Sequence, residues 1–123
     1  MKKKILIADD QVESRTLIRL YLTKAGYDVI EAANGQDALA RIAKEKPDLV
    51  ILDVIMPILD GASVAIELSK APETQNIPII ISTTRGTLKD LFSVSQAAKI
   101  SDFIEKPFKP EELVSKVTKI IGV

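Results

Sequence analysis

Three short stretches of this chain are apolar without interruption: Ile5-Leu6-Ile7-Ala8, Leu49-Val50-Ile51-Leu52 and Ile77-Pro78-Ile79-Ile80-Ile81. A strand with one wet face alternates apolar and polar side chains, whereas a strand covered on both faces reads as a continuous run. The pattern predicts a parallel sheet buried between two layers of helices. Tyr27 to Glu31 and Asp102 to Glu105 are shorter candidates, expected nearer the sheet edges.

Helical patterns separate the runs. Leu17, Leu20 and Tyr21 recur on one face, as do Leu39, Ile42 and Ala43, and later Leu113, Val117, Ile120 and Ile121. Gly26 follows the first of these patterns, Asn34-Gly35 precedes the second and Lys46-Pro47 follows it. Asp60-Gly61 is expected to open a third helix over Ala62 to Lys70, and Pro110 with Glu111 and Glu112 suits the positive end of the last. Five strands thus alternate with five helices. Crossovers between parallel strands are right-handed almost without exception, so the helices must cover both faces. The chain, 123 residues long, is sized for one domain and shows no internal repeat or linker. It ends as the fifth helix does, which leaves no room within it for an output domain.

Composition excludes several chemistries. There is no cysteine, hence no disulfide, thiolate ligand or thiol nucleophile, which suits a reducing cytoplasm. There is no histidine, so the usual general base and most zinc sites are missing. Lys plus Arg equals Asp plus Glu at 17 each, which favours neither direct nucleic-acid binding nor an anionic membrane. Lys2 to Lys4 reads as a solvated strand entrance, because the apolar run behind it is too short for a signal peptide. No apolar stretch approaches the roughly 20 residues of a membrane helix. Carboxylates, lysines and hydroxyls must carry whatever chemistry occurs.

In open α/β sheets, ligands bind beyond the carboxyl ends of the strands. The first strand runs into Asp9-Asp10, the third into Asp53, the fourth into Ser82-Thr83-Thr84 and the fifth into Lys106-Pro107. One acid after a strand is usually a helix cap. Three converging carboxylates are costly without a cation, and a hard divalent ion with oxygen ligands resolves that cost. A carboxylate can also attack phosphorus and become an acyl phosphate. Metal, lysine and hydroxyl would then neutralise the phosphoryl oxygens. The residues reach a Mg2+-dependent, phosphate-accepting carboxylate site without selecting the accepting acid.

With its motifs taken in order, the chain resembles a response regulator receiver over essentially its whole length. The stretches that carry the likeness are Ile5-Leu6-Ile7-Ala8-Asp9-Asp10, Gly26-Tyr27-Asp28-Val29, Ala33 to Leu39, Pro47 to Asp53, Met56-Pro57, Asp60-Gly61, Pro78-Ile79-Ile80 and Asp102 to Phe108. The resemblance implies an α/β domain over residues 1–123, a (βα)5 doubly wound five-stranded parallel sheet in the flavodoxin-like order 2-1-3-4-5. It implies that Asp53 takes a phosphoryl group from a histidine kinase or histidine phosphotransfer protein. Asp10 and Asp53 would ligate Mg2+ (or Mn2+), Asp9 would assist, and the Ile55 backbone carbonyl would complete the protein ligands. Lys106, before a cis peptide bond to Pro107, would contact the phosphoryl group. Thr83 and Phe103 would move together as a switch on the surface of the fourth helix, fifth strand and fifth helix, which acts on a downstream target or output domain. Such a protein is a cytoplasmic signalling phosphoacceptor rather than an enzyme, and a monomer or weak phosphorylation-dependent dimer.

Departures from the family pattern sharpen the expectations. Thr84 stands where a small residue is usual, and Ile55 and Arg85 occupy the positions two residues after Asp53 and Thr83. An isoleucine cannot orient a hydrolytic water, so slow self-dephosphorylation is expected. Ala98-Lys99-Ile100-Ser101 replaces the common Gly-Ala pair before the fifth strand, and Leu88, Leu91, Phe92 and Val94 give the fourth helix more apolar surface than one face needs. An aspartyl-phosphate hydrolase of the haloacid dehalogenase type would need a second acid where Ile55 stands. A flavodoxin would carry a Ser/Thr/Gly-rich phosphate loop where Asp9-Asp10 stand. A receiver-like interaction module that works without phosphorylation is the remaining alternative, although such modules commonly lose an acid, the hydroxyl or the lysine, all present here.

Overall fold

The computed structural model of the chain describes residues 2–84 and 99–123. Strands β1 (Lys4–Ala8), β2 (Asp28–Ala32), β3 (Leu49–Asp53), β4 (Ile79–Thr83) and β5 (Asp102–Glu105) form one sheet in the order β2-β1-β3-β4-β5. Every pairing is parallel. Helices α1 (Val12–Lys24), α2 (Gly35–Glu45), α3 (Gly61–Lys70) and α4 (Pro110–Ile121) connect or follow them. This is the expected doubly wound, flavodoxin-like sheet. The expected helix between β4 and β5, with Leu88, Leu91, Phe92 and Val94, lies outside the described residues, as do Arg85 and Ala98.

Alternation along each strand decides which layer a side chain enters. Ile5, Ile7, Leu49, Ile51, Ile80 and Ile104 point to one side, where Ile18 and Leu22 of α1 and Leu113 and Val117 of α4 meet them. Leu6, Ala8, Val50, Leu52, Ile79 and Ile81 point to the other, against Ala38 and Ile42 of α2 and Val64, Ala65 and Leu68 of α3. Each fully buried aliphatic side chain contributes roughly 1.5–3 kcal/mol, so the three central strands carry most of the fold. The edge strands β2 and β5 are only partly covered, as their shorter apolar runs predict.

Helix α1 departs from its expected orientation. Leu17 and Leu20 are 49% and 55% exposed, while Ile18 and Leu22 are buried. The inward stripe is Arg15, Ile18, Leu22 and Ala25, one residue round from the one the apolar pattern suggests. Ile18 and Leu22 supply the apolar burial of that stripe, Tyr21 packs beside them, and Arg15 donates to the Asp9 carbonyl just beyond β1.

Side chains cap two helix starts, with Asn34 accepting from the Asp37 amide at 2.8 Å and Asp60 from the Ser63 amide at 2.7 Å. The chain after β3 is pinned by close backbone approach. A Cβ on Gly61 would collide with the Asp53 carbonyl, and one on Gly35 with the Leu59 carbonyl. Between these two contacts Ile58 has φ 71°, the left-handed region that β-branched residues avoid. At the opposite end of the sheet, the Tyr27 hydroxyl donates to the Gly122 carbonyl at 2.6 Å and lies 3.2 Å from the Thr118 hydroxyl. Lys3 donates to the Ile121 carbonyl beside it.

Two expectations follow for equilibrium unfolding in urea. Gly61→Ala should lose about 2 kcal/mol, the scale of overpacking against a wall that cannot retreat. Ile58→Gly should gain about 1 kcal/mol, because relief of the left-handed φ exceeds the entropy cost of glycine. A neutral Gly61→Ala would show that α3 can slide away from β3.

Candidate functional site

The ends of β1 and β3 are neighbours in the sheet, and each delivers acid as its apolar run stops. One carboxylate oxygen from each of Asp9, Asp10 and Asp53 lies within 4.8 Å of the others. Asp9 is 1% exposed and Asp53 8%, whereas Asp10 stands in solvent. Lys106, just past β5, lies between the two buried acids: its ammonium donates to Asp9 Oδ2 at 2.6 Å and to Asp53 Oδ2 at 3.3 Å. The remaining oxygens of both accept backbone amides, Asp9 Oδ1 from Gln11 at 2.9 Å and Asp53 Oδ1 from Ile55 at 3.2 Å. The Asp10 carboxylate has no hydrogen-bond or ion-pair partner among the described residues.

Among the described residues one ammonium, that of Lys106, touches these three carboxylates. Burial pushes the Asp53 carboxyl above the ordinary aspartate range; the Lys106 charge opposes this and the Asp9 charge adds to it. Burial alone would depress Lys106, but its hydrogen bond to Asp9 and the charges of Asp53 and Asp9 outweigh that, and its pKa is raised. The lysine therefore stays charged, and Asp53 carries its negative charge at a cost.

The other expected site residues, Arg85 apart, lie on or just after β3, β4 and β5. Thr83 ends β4 at 4% exposure, with its hydroxyl donating to the Thr84 carbonyl at 3.1 Å and its own carbonyl accepting the Lys106 amide at 2.6 Å. Thr84 is exposed just beyond it. Ile55 follows Asp53 by two residues with its side chain 60% exposed. Phe103 on β5 is half-buried against the α2–α3 side of the core. The Lys106–Pro107 bond is cis, as the resemblance implied. Arg15 was not singled out in the sequence, yet its guanidinium Nη1 donates to the Asp9 carbonyl at 2.6 Å. Only its position six residues after Asp9, inside the first helix, hinted at it.

The response regulator receiver domain profile matches residues 5–118. The probable transcriptional regulator ycf27 of Cyanophora paradoxa is 39% identical over 98% of this chain and 48% of its own length. The phosphate regulon transcriptional regulatory protein PhoB of Pseudomonas aeruginosa is 38% identical over 97% of this chain and 52% of its own length. The chain thus spans about half the length of the curated relatives it matches. A crystal structure of a putative response regulator from Chloroflexus aurantiacus superposes with a TM-score of 0.93 at 34% identity, covering 100% of both chains. These agree with the strand order and the clustered acids, and the chain belongs to the response regulator receiver domain family of two-component signalling.

Proposed function

We propose that Asp53 is the phosphoacceptor of a two-component relay, within a single receiver unit spanning residues 1–123. The observation that carries this is the meeting of Asp9, Asp10 and Asp53 within 4.8 Å, with Lys106 bridging the two buried acids. Asp53 lies at the carboxyl end of the central strand β3, the position the sheet rule assigns to ligand chemistry.

The donor is a phosphohistidine on a histidine kinase or histidine phosphotransfer protein. One Asp53 oxygen attacks phosphorus, the P–N bond breaks with its electron pair leaving on the imidazole, and an acyl phosphate forms on Asp53. Lys106 already touches the Asp53 carboxylate and turns its ammonium to the phosphoryl oxygens. The residues fit a divalent cation: three carboxylates share one ammonium, and the Asp10 carboxylate has no partner among the described residues. Asp10, Asp53 and the Ile55 carbonyl, with Asp9 assisting, would hold Mg2+ (or Mn2+). When bound, that ion supplies the positive charge the carboxylates and phosphoryl oxygens need.

Thr83 then moves its hydroxyl from the Thr84 carbonyl toward the phosphoryl group, and Phe103 turns further inward behind it. The surface of β5, α4 and the segment between β4 and β5 reports the change to a downstream protein or output domain. An apolar cleft of about 430 Å³ beside Lys106, lined by Leu17, Tyr21, Thr84 and Phe108 among others, suits approach of the donor. The balanced charge supports no direct nucleic-acid binding. Among the described residues no helix is long and apolar enough to cross a membrane, and a cytoplasmic monomer or weak phosphorylation-dependent dimer is our reading.

Incubation with Mg2+ and acetyl phosphate should add one phosphoryl group to the intact mass of the parent and none to Asp53→Asn. If neither gains mass while Mg2+ binds, the chain is an interaction module independent of phosphorylation. The exposed Ile55, which cannot hold a hydrolytic water, together with Thr84 and Arg85 should make the acyl phosphate slow to hydrolyse. A half-life of seconds in the same assay would contradict that.

A further inference from the structure

We propose that Arg15 is a positioning residue for the acidic cluster, and that it acts on Asp10 through the peptide joining Asp9 to Asp10. This rests on reading the cluster as a divalent-cation site. The Arg15 side chain is 14% exposed and Glu31 30%, so both are largely withdrawn from water. Arg15 Nη1 donates to the Asp9 carbonyl at 2.6 Å, and Nε donates to Glu31 Oε1 at 3.3 Å. Glu31 lies on β2, opposite Ile7 of β1, and its second oxygen pairs with Arg19 at 3.3 Å. A chain of charged contacts therefore runs from α1 through the edge strand and back to the end of β1.

The three acids are held in different ways. Asp9 and Asp53 each have both carboxylate oxygens engaged, by Lys106 and by a backbone amide. The Asp10 carboxylate has no such partner among the described residues, so its place follows from its backbone. The Asp9 carbonyl belongs to the planar peptide that ends at the Asp10 nitrogen and Cα. Whatever fixes that carbonyl fixes the direction in which Asp10 leaves β1. On one side the amide of Asp9 is tied to the Ala32 carbonyl at 3.1 Å; on the other Arg15 holds the carbonyl. A lysine has the charge but not the fork to reach both the Asp9 carbonyl and Glu31.

Sign separates this role from a simple charge effect. Removing a positive charge beside three carboxylates should tighten cation binding if Arg15 acts only through its field. Removing a positioning residue should weaken it, by about tenfold or more on the scale of outer-shell partners at metal sites. The test is calorimetric titration of the intact chain with Mg2+ alone, at constant ionic strength and well below the unfolding midpoint. Arg15→Met and Arg15→Lys should both weaken Mg2+ binding by about tenfold. A purely structural role would lower the unfolding midpoint without moving this affinity.

Unchanged or tighter binding in Arg15→Met, or full rescue by Arg15→Lys, overturns the proposal. Should Arg15→Met fail to fold, Arg15→Lys decides, since it keeps the charge and removes only the fork: a loss supports the proposal and parity overturns it. Absence of Mg2+ binding by the parent would overturn the cation reading, and this inference with it. Parent binding with no change in the variants would overturn this inference alone.

Discussion

The contact between Lys106 and the two buried acids is the constraint on which the rest of the site depends. Asp9 and Asp53 are brought together by pairing of β1 and β3, which is itself a product of hydrophobic burial. Like charges that close, in a place that water barely reaches, would push the strand ends apart without a counter-charge. Lys106 comes from the far side of the sheet, past β5, so its contact with the acids also ties the edge strand to the centre. Among the described residues the lysine meets two of the three carboxylates and leaves Asp10 without a partner.

Backbone contacts hold this arrangement from behind. Gly61 lets α3 start directly against the Asp53 carbonyl, and its amide donates to the Val54 carbonyl at 3.0 Å. Gly35 lets α2 start against the Leu59 carbonyl of the same connection. The loop after β3 is therefore gripped at two points, and Ile58 between them takes up a strained φ while its side chain stays 73% exposed. Stability is spent in this loop rather than in the core, which is where strain at functional loops tends to collect.

Much of the fold was legible because it depends on runs and alternation, which are local. The continuous runs at Ile5, Leu49 and Ile79 marked the central strands, and the acids after them marked the rim. The face of α1 was not legible. Leu17 and Leu20 are apolar on a solvent-facing stripe, while Ile18 and Leu22 fill the core and Arg15 meets Asp9 and Glu31. The glycines read as punctuation, whereas Gly35 and Gly61 matter for what lies opposite them, which no spacing reveals. The left-handed φ of Ile58 had no signature at all, since glycine or asparagine would be the residue to look for.

The clasp at the opposite end of the sheet gives α4 an asymmetric mounting. Its last turn is bolted down by Tyr27 at Gly122 and by Lys3 at Ile121, while its first residue follows Lys106 by four positions along the chain. A helix of 12 residues is an arm of about 18 Å. Any displacement of Lys106 that travels along the chain meets this arm at its first turn, where Leu113 enters the core, with the hydrogen-bonded clasp at the other end. A shift passed along the chain would therefore be taken up ahead of Leu113, around Pro110 and Glu111, and would have died away at Thr118.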